Sequence, residues 1–278
     1  MNERKRRIAF IIGGMSRGGA ERVISILAND YANRGWAVDI IMLLNNRCEY
    51  ELHNEINLIP IIGPFRNRIA QLPTWISGIR QYLLVNQPDF VVSFIARVNI
   101  VTILSCFGYR GRLIVSERND PRNDGRSCIV RLATYVLYKC VDRVIFQTEW
   151  AKSCFPGKIR DKSVIIPNPI DVLVEALPDK KRKIVAVGRL AEQKNHLMLI
   201  QAFKKFIQSY PEYTLHIYGD GVLRERLEEE IKSLGLQDFA FLEGAVDDVH
   251  QRIADAQMFV LSSNYEGMSN ALLEAMLM

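Results

Sequence analysis

The chain has 278 residues, of which 49% are hydrophobic and 24% charged, and its formal net charge is +5. This length admits two domains, each able to bury its own core, and the balance of residues excludes a disordered or fibrous chain. No apolar run approaches the roughly 20 residues of a membrane-spanning helix, so no span is expected. The charge is uneven: Arg4, Lys5, Arg6 and Arg7 open the chain, and arginines crowd its first half. Such a half can meet a phosphorylated substrate or an anionic lipid surface, or be a solvated face. No zinc-finger spacing or aromatic RNA-binding signature occurs, so nucleic acid is not an expected partner. Cys48, Cys106, Cys128, Cys140 and Cys154 are odd in number and scattered, which reads as reduced thiols of a cytoplasmic protein and as no metal site.

The opening MNERKRRIAFIIGG holds five apolar residues before its glycines, which predicts a buried strand at 7–13 rather than a leader peptide. Further β-rich runs predict strands at 37–44, 57–62, 89–94, 112–117, 142–147 and 163–167, with helical spacing at 20–33, 66–85 and 129–140. Strands at 183–189, 214–219, 239–244 and 257–262 then alternate with helices at 196–210, 222–234 and 246–254. Alternation of this kind predicts an α/β fold of parallel sheets covered by helices on both faces. The polar, proline-bearing stretch NPIDVLVEALPDKKR separates the two series. It places a linker at 171–182 between an N-terminal domain, 1–170, and a C-terminal one, 183–278. The expected architecture is two facing Rossmann-like domains, whose ligands bind beyond the carboxyl ends of the strands.

Four segments at predicted strand ends carry chemistry. GGMSRGGAER at 13–22 lets backbone N–H groups approach an anion at a helix start. Its spacing is not the G-x-G-x-x-G of a dinucleotide loop, which argues against a nicotinamide-dependent oxidoreductase. In VGRLAEQKN at 187–195, Arg189 and Lys194 are two cations placed to neutralise a diphosphate; the alternative is a basic surface loop. YGDG at 218–221 is either a turn into a helix or a place where backbone meets a base. In NYEGMSNALLEAM at 264–276, Glu266 stands on a loop and Glu274 about one turn inside the following helix. Two acceptors so placed suit a ligand with hydroxyls and phosphates, although the same pattern also fits a solvated helix face.

Together with VSERNDPR at 115–122 and PNPI at 167–170, these segments resemble, in order and over essentially the whole chain, a large glycosyltransferase family. It comprises the retaining GT-B glycosyltransferases of family 4, or glycosyl transferases group 1, which includes sugar-nucleotide-dependent polysaccharide and lipid-linked glycan enzymes. The resemblance implies that the first domain binds the acceptor and the second the sugar nucleotide, UDP- or GDP-linked, with no cofactor and no divalent metal. Arg189 and Lys194 would grip the diphosphate, and Glu266, with N–H groups of Gly267, Met268, Ser269 and Asn270, would hold the transferred sugar. Glu274 would bind the ribose. Gly188, Gly219 and Gly221 would line the donor, and Gly18 and Gly19 would let the first domain's loop close over the donor phosphates or the acceptor. Arg17, Glu117, Arg118 and Asn119 are the acceptor or sugar-site candidates.

Two departures from the family stand out. Many relatives carry a histidine after the fifth strand, where this chain has Glu117-Arg118-Asn119-Asp120. For Arg118 an ion pair with Glu117 or Asp120 competes with a ligand role. Relatives also continue past the last helix with a further strand and helices, so the donor domain is expected to be C-terminally incomplete, with an exposed sheet edge. The alternative function is accordingly an impaired remnant that at most binds nucleotide. Finally, the stretch FRNRIAQLPTWISGIRQYLL with Arg66, Arg68 and Arg80 suits peripheral docking at an anionic inner membrane face, or else packs on the core around Pro73.

Overall fold

In the structure, a computed structural model that describes residues 4–16, 18–65, 67–170 and 178–278, the apolar runs become two parallel sheets. The chain divides into two compact units, Met1–Pro169 and Ile170–Met278.

The first unit holds β1 (Arg7–Ile12), β2 (Ala37–Met42), β3 (Asn57–Pro60), β4 (Phe90–Phe94), β5 (Arg112–Ser116), β6 (Arg143–Phe146) and β7 (Ser163–Ile165). Their order is β3-β2-β1-β4-β5-β6-β7, the doubly wound arrangement, which reverses direction between β1 and β4. β1 is buried from Ile8 to Ile12 because helices cover both of its faces. Phe10 and Ile12 pack with helix α1 (Gly19–Asn33) through Val23, Ile24 and Ala28, while Ala9 and Ile11 join the opposite cluster around Ile79, Tyr82 and Tyr138. Asp39 is fully buried on β2, where Arg7 Nη1 (2.7 Å) and Asn57 Nδ2 (2.8 Å) donate to its carboxylate, as does the Tyr82 hydroxyl. A carboxylate without surface is tolerated only when so fully paired.

Two helices depart from expectation. The helix expected at 66–85 is α2 (Leu72–Asn86), with Pro73 in its first turn, since proline lacks the N–H that a helix interior needs. Its apolar side is spent on the core, where Trp75, Ile79, Tyr82 and Leu83 are buried. The segment ARVNIVTILS, rich in β-branched residues, forms the unexpected helix α3 (Ala96–Ser105), which is apolar on most sides because it is largely buried. Helix α4 (Cys128–Leu137), a 3₁₀ turn at Tyr138–Cys140, and the short helices α5 (Glu149–Ser153) and α6 (Gly157–Arg160) complete the unit.

The second unit repeats the plan in miniature. Strands β8 (Lys181–Val187), β9 (Thr214–Tyr218), β10 (Ala240–Gly244) and β11 (Ala256–Phe259) form a parallel sheet in the order β10-β9-β8-β11. Helices α7 (His196–Phe206), α8 (Arg224–Ser233), α9 (Val249–Ile253) and α10 (Asn270–Ala275) connect and follow them. Most of the expected linker, 171–177, lies outside the described residues. Its last two residues, Lys181 and Arg182, already belong to β8, because the Lys181 N–H donates to the Asp255 carbonyl (2.7 Å) and the Lys181 ammonium meets the Asp255 carboxylate at 2.8 Å. Among the described residues β11 pairs with β8 alone, and its Met258 and Phe259 are half-buried.

Candidate functional site

The strand ends of the second unit bring two distant motifs together. After β8, the 188–195 loop carries Arg189, whose guanidinium is exposed and has no partner among the described residues. Lys194 Nζ lies 2.6 Å from Glu266 Oε1, with both side chains mostly covered. Ser263 Oγ donates to the same oxygen (2.7 Å). Polar bonds stitch the loops around this pair. The Asn264 N–H donates to the Gln193 carbonyl (2.8 Å), Asn264 Nδ2 to the Glu192 carbonyl (2.8 Å), and Asn195 Nδ2 to Asn264 Oδ1 (2.9 Å). Gln193 Nε2 donates to the Tyr265 carbonyl (3.1 Å), and Ser262 Oγ to the Lys194 carbonyl (2.8 Å). Sequence reasoning singled out the pair but missed Ser263, Asn264, Gln193 and Asn195, which hold it in place. Their signal was the density of amides in both motifs.

Ser269 caps α10, accepting from the Leu272 N–H (3.4 Å), and Gly267, Met268, Ser269 and Asn270 are half-buried at its start. Glu274 is 5% exposed, and its Oε2 lies 2.9 Å from His250 Nε2, a partner on α9 that the sequence did not suggest. The glycines expected to line a donor first serve packing between loops. A Cβ at Gly219 would stand 2.0 Å from the Gly188 carbonyl oxygen, and one at Gly221 would stand 2.5 Å from the Leu190 carbonyl oxygen. Gly188 meets the Lys194 side chain, which a Cβ would approach to 3.1 Å. His196 is buried at the start of α7, and burial lowers its pKa against the opposing pull of the Gly188 and Arg189 backbone.

At the carboxyl edge of the first sheet the glycine loop is tied down rather than loose. The Met15 N–H donates to the Arg47 carbonyl (3.2 Å), and the Glu49 N–H to the Met15 carbonyl (3.0 Å). The Tyr50 hydroxyl accepts from the Gly18 N–H (3.0 Å) and donates to the Gly18 carbonyl (2.9 Å). A Cβ on Gly18 would collide with the Glu21 carboxylate at 2.3 Å, so glycine lets this first-turn acid fold back over the start of α1. Gly19 begins that helix, and Arg17 lies outside the described residues.

Glu117, expected to line a sugar or acceptor site, does not. It is 1% exposed, and both of its oxygens are engaged inside the unit: Arg126 Nη2 donates at 2.6 Å and the Tyr138 hydroxyl at 2.5 Å. Arg126 also pairs with Asp124 (2.7 Å), and Asn99 Nδ2 donates to the Tyr138 hydroxyl (2.8 Å). Burial pushes the Glu117 carboxyl above its ordinary pKa, against the pull of Arg126.

Arg118 forms no ion pair with Glu117 or Asp120, because alternation along the strand sends it to the other face. Leu113 and Val115 lie in the cluster that contains Tyr138, whereas Ile114 packs on the cluster that contains Phe94. Arg118 follows the second set, with its guanidinium 4.8 Å from the Phe94 ring centroid and its Nη1 donating to Asn168 Oδ1 (3.0 Å). Asn119 is half-buried beside it. At the opposite, amino edge of this sheet a cavity of about 820 Å³ opens against Arg4, Arg6, Arg80 and Arg112, among others.

Two doubly wound parallel sheets with charged, amide-rich loops at their carboxyl edges define a Rossmann-like, nucleotide-binding type of architecture. Residues 17–172 match Glycosyltransferase Family 4, and residues 171–278 match Glycosyl transferases group 1. The chain belongs to this glycosyltransferase family, and its fold matches the GT-B architecture. It is 30% identical over 247 residues to an uncharacterized glycosyltransferase of Methanocaldococcus jannaschii, a match covering 81% of this chain and 61% of that protein. It is 28% identical over 281 residues to a Campylobacter jejuni enzyme, covering 97% of this chain and 76% of the relative. That relative is named GalNAc-alpha-(1->4)-GalNAc-alpha-(1->3)-diNAcBac-PP-undecaprenol alpha-1,4-N-acetyl-D-galactosaminyltransferase. Among solved structures, Anabaena HepE in complex with UDP and glucose superposes with a TM-score of 0.79 at 18% identity, covering 98% of this chain and 78% of HepE. The chain thus spans under two thirds of the archaeal relative and about three quarters of the others.

Proposed function

We propose that the chain is a retaining glycosyltransferase of cell-surface polysaccharide or glycoconjugate synthesis. It would take a sugar from a nucleoside-diphosphate donor, UDP- or GDP-linked, to a glycan or lipid-linked acceptor. The observation that carries this reading is the stitched pair of loops that sets Lys194 2.6 Å from Glu266 beside the open guanidinium of Arg189. A diphosphate approaching Arg189 finds one uncompensated cation and a second whose charge can be shared with it. Together they supply the positive charge that a divalent metal would otherwise bring to the leaving nucleotide. As Lys194 turns toward phosphate, Glu266 is released to accept hydrogen bonds from the hydroxyls of the transferred sugar. Glu274, oriented by His250, accepts from the ribose. With retention, the acceptor attacks on the face that the nucleotide leaves, and the departing phosphate oxygen takes the acceptor proton.

The HepE complex with UDP and glucose and the undecaprenol-linked substrate in the name of the Campylobacter relative support donor and acceptor of these classes. Turnover of a nucleotide-sugar panel by Arg189→Ala and Lys194→Ala chains tests the roles. Each should lose roughly 100-fold in kcat/KM, the scale of one preorganised charge contact, and full turnover by either contradicts the assignment. No described helix is long and apolar enough to cross a membrane. Docking would therefore be peripheral, through the basic residues Arg66, Arg68 and Arg80, of which Arg68 is exposed, Arg80 lines the amino-edge cavity and Arg66 lies outside the described residues. Sedimentation with phosphatidylglycerol vesicles should fall when these three are neutralised, and unchanged binding removes the idea.

A further inference from the structure

The carboxyl ends of β5 and β6 hold an unusual concentration of unmet polar capacity. Arg118 Nε, Ser116 Oγ and Gln147 Oε1 are all sealed from solvent without a hydrogen-bond partner among the described residues. All three sit at the ends of these neighbouring strands, which pair in parallel up to Ser116 and Ile145. In folded proteins most buried polar atoms are satisfied, so a cluster of exceptions calls for a cause. Part of the group is internally bonded: Asn168 Oδ1 accepts from Arg118 Nη1 (3.0 Å) and from the Gln147 amide.

Arg118 has no carboxylate partner among the described residues. Its pKa falls to about 10 through burial alone, whereas the nearby Arg126 is raised by Asp124 and Glu117 despite its own burial. A guanidinium covered this far without a counter-charge is costly unless something else supplies the anion. No described carboxylate does, because Glu117 turns to the opposite side of the strand end, where it pairs with Arg126, as does Asp124. One nitrogen of Arg118, Nη2, has no partner among the described residues and is not sealed. Phe94 beneath the guanidinium plane and Asn168 at Nη1 fix the direction in which Nη2 points.

We propose that these strand ends form an oxyanion site of the first unit, in which Arg118 Nη2 contacts a phosphate or carboxylate oxygen end-on. The contact is end-on because Nε, the other half of a guanidinium fork, is closed off. This deepens the proposed function, on whose assignment of the first unit to the acceptor it rests: the acceptor carries an oxyanion close to the group it presents.

The test uses the 278-residue chain and three probes: inorganic pyrophosphate, glucuronate and a nucleoside diphosphate. Calorimetry on wild type, Arg118→Lys and Arg118→Gln should show a pyrophosphate or glucuronate affinity that falls roughly 10- to 100-fold in Arg118→Gln. Arg118→Lys keeps the charge and should retain most of it. Preference for pyrophosphate or for glucuronate identifies the anion as phosphate or carboxylate. Phenylglyoxal labelling of the wild type, mapped by peptide mass, should show Arg118 protected by the preferred anion, and this holds even if the variants fold poorly. Equal affinity in wild type and Arg118→Gln, no anion binding by wild type, or labelling indifferent to anion each overturns the proposal. Nucleoside diphosphate binding should be unchanged in Arg118→Gln. Its loss in Arg189→Ala alone concerns the donor site, so the two readings fail separately.

Discussion

Replacing Gly219 by alanine probes whether the loops at the carboxyl edge of the second sheet are set by their own packing before any ligand arrives. Gly219 has φ +140°, a conformation that residues with a Cβ rarely adopt, and its backbone is pinned by a 2.7 Å bond from its N–H to the Gly244 carbonyl. The neighbouring loop is equally held, with the Gly188 N–H donating to the Tyr218 carbonyl at 2.9 Å. A Cβ would lie 2.0 Å from the Gly188 carbonyl oxygen, so one of the two loops must move by about 1 Å to restore ordinary contact. Backbone strain of about 1–3 kcal/mol adds to overpacking of about 1–3 kcal/mol, giving a loss of roughly 2–6 kcal/mol. Gly235, at φ +63° with nothing within 4 Å, separates the two causes, because Gly235→Ala should cost only about 1–2 kcal/mol of backbone strain. All three tryptophans, Trp36, Trp75 and Trp150, lie in the first unit. Tryptophan fluorescence in urea therefore follows that unit alone, while far-ultraviolet circular dichroism follows both. Gly219→Ala should lower the dichroism midpoint and leave the fluorescence midpoint in place. A dichroism midpoint equal to wild type, or shifted no further than that of Gly235→Ala, would refute the close-packed reading of these loops.

Arg126→Ala should cost the first unit about 3–5 kcal/mol in the fluorescence-detected transition, because it strands the Glu117 carboxylate without surface or counter-charge. Tyr138→Phe, which removes one neutral donor from the same carboxylate, should cost only about 1–2 kcal/mol; equal effects would mean that the charge is not what matters. Burial lowers the His196 pKa below the ordinary 6.5, so between the folded and unfolded values the unfolded chain binds more protons. Its contribution to stability is complete above about pH 6.5 and is lost as pH falls below that value, at no more than about 1.4 kcal/mol per pH unit. His196→Leu should flatten this part of the dichroism-detected stability profile, and an unaltered slope would clear His196 of the effect.

The fold was legible because buried parallel strands read as short apolar runs, and all eleven of the expected runs coincide with strands among the described residues. What escaped was set by tertiary context. α3 looks like no helix, because a helix buried on several sides loses the polar stripe that marks amphipathic ones. α2 begins six residues later than its expected start at 66, since apolar spacing ran on through residues that proline chemistry leaves outside the helix. Of the candidate residues, spacing singled out Arg189, Lys194, Glu266 and Glu274 within recognisable motifs, and the structure brings Lys194 and Glu266 together. Spacing could not show that Glu117 and Arg118, adjacent in sequence, part to opposite sides just past the end of β5. Nor could it supply His250 for Glu274 or Tyr50 for Gly18, since those contacts join residues 24 and 32 positions apart.

The two units share a strand order around their first strands but treat charge at the carboxyl edge in opposite ways. In the second unit Lys194 and Glu266 neutralise each other across a stitched pair of loops, so the pair tolerates burial, and under the proposed function it would trade one internal contact for several to a ligand. Such an exchange would cost little on arrival and little on departure, as the proposed donor site needs if it is to bind a charged nucleotide and then release it. In the first unit Arg118 is largely desolvated with no described carboxylate to trade, so the cost of its burial is present before any ligand binds. An anion that reaches it relieves that cost and is favoured by the full difference. The same guanidinium contact is therefore expected to discriminate more sharply between charged and neutral ligands at Arg118 than at Lys194, where a neutral ligand leaves the ion pair intact.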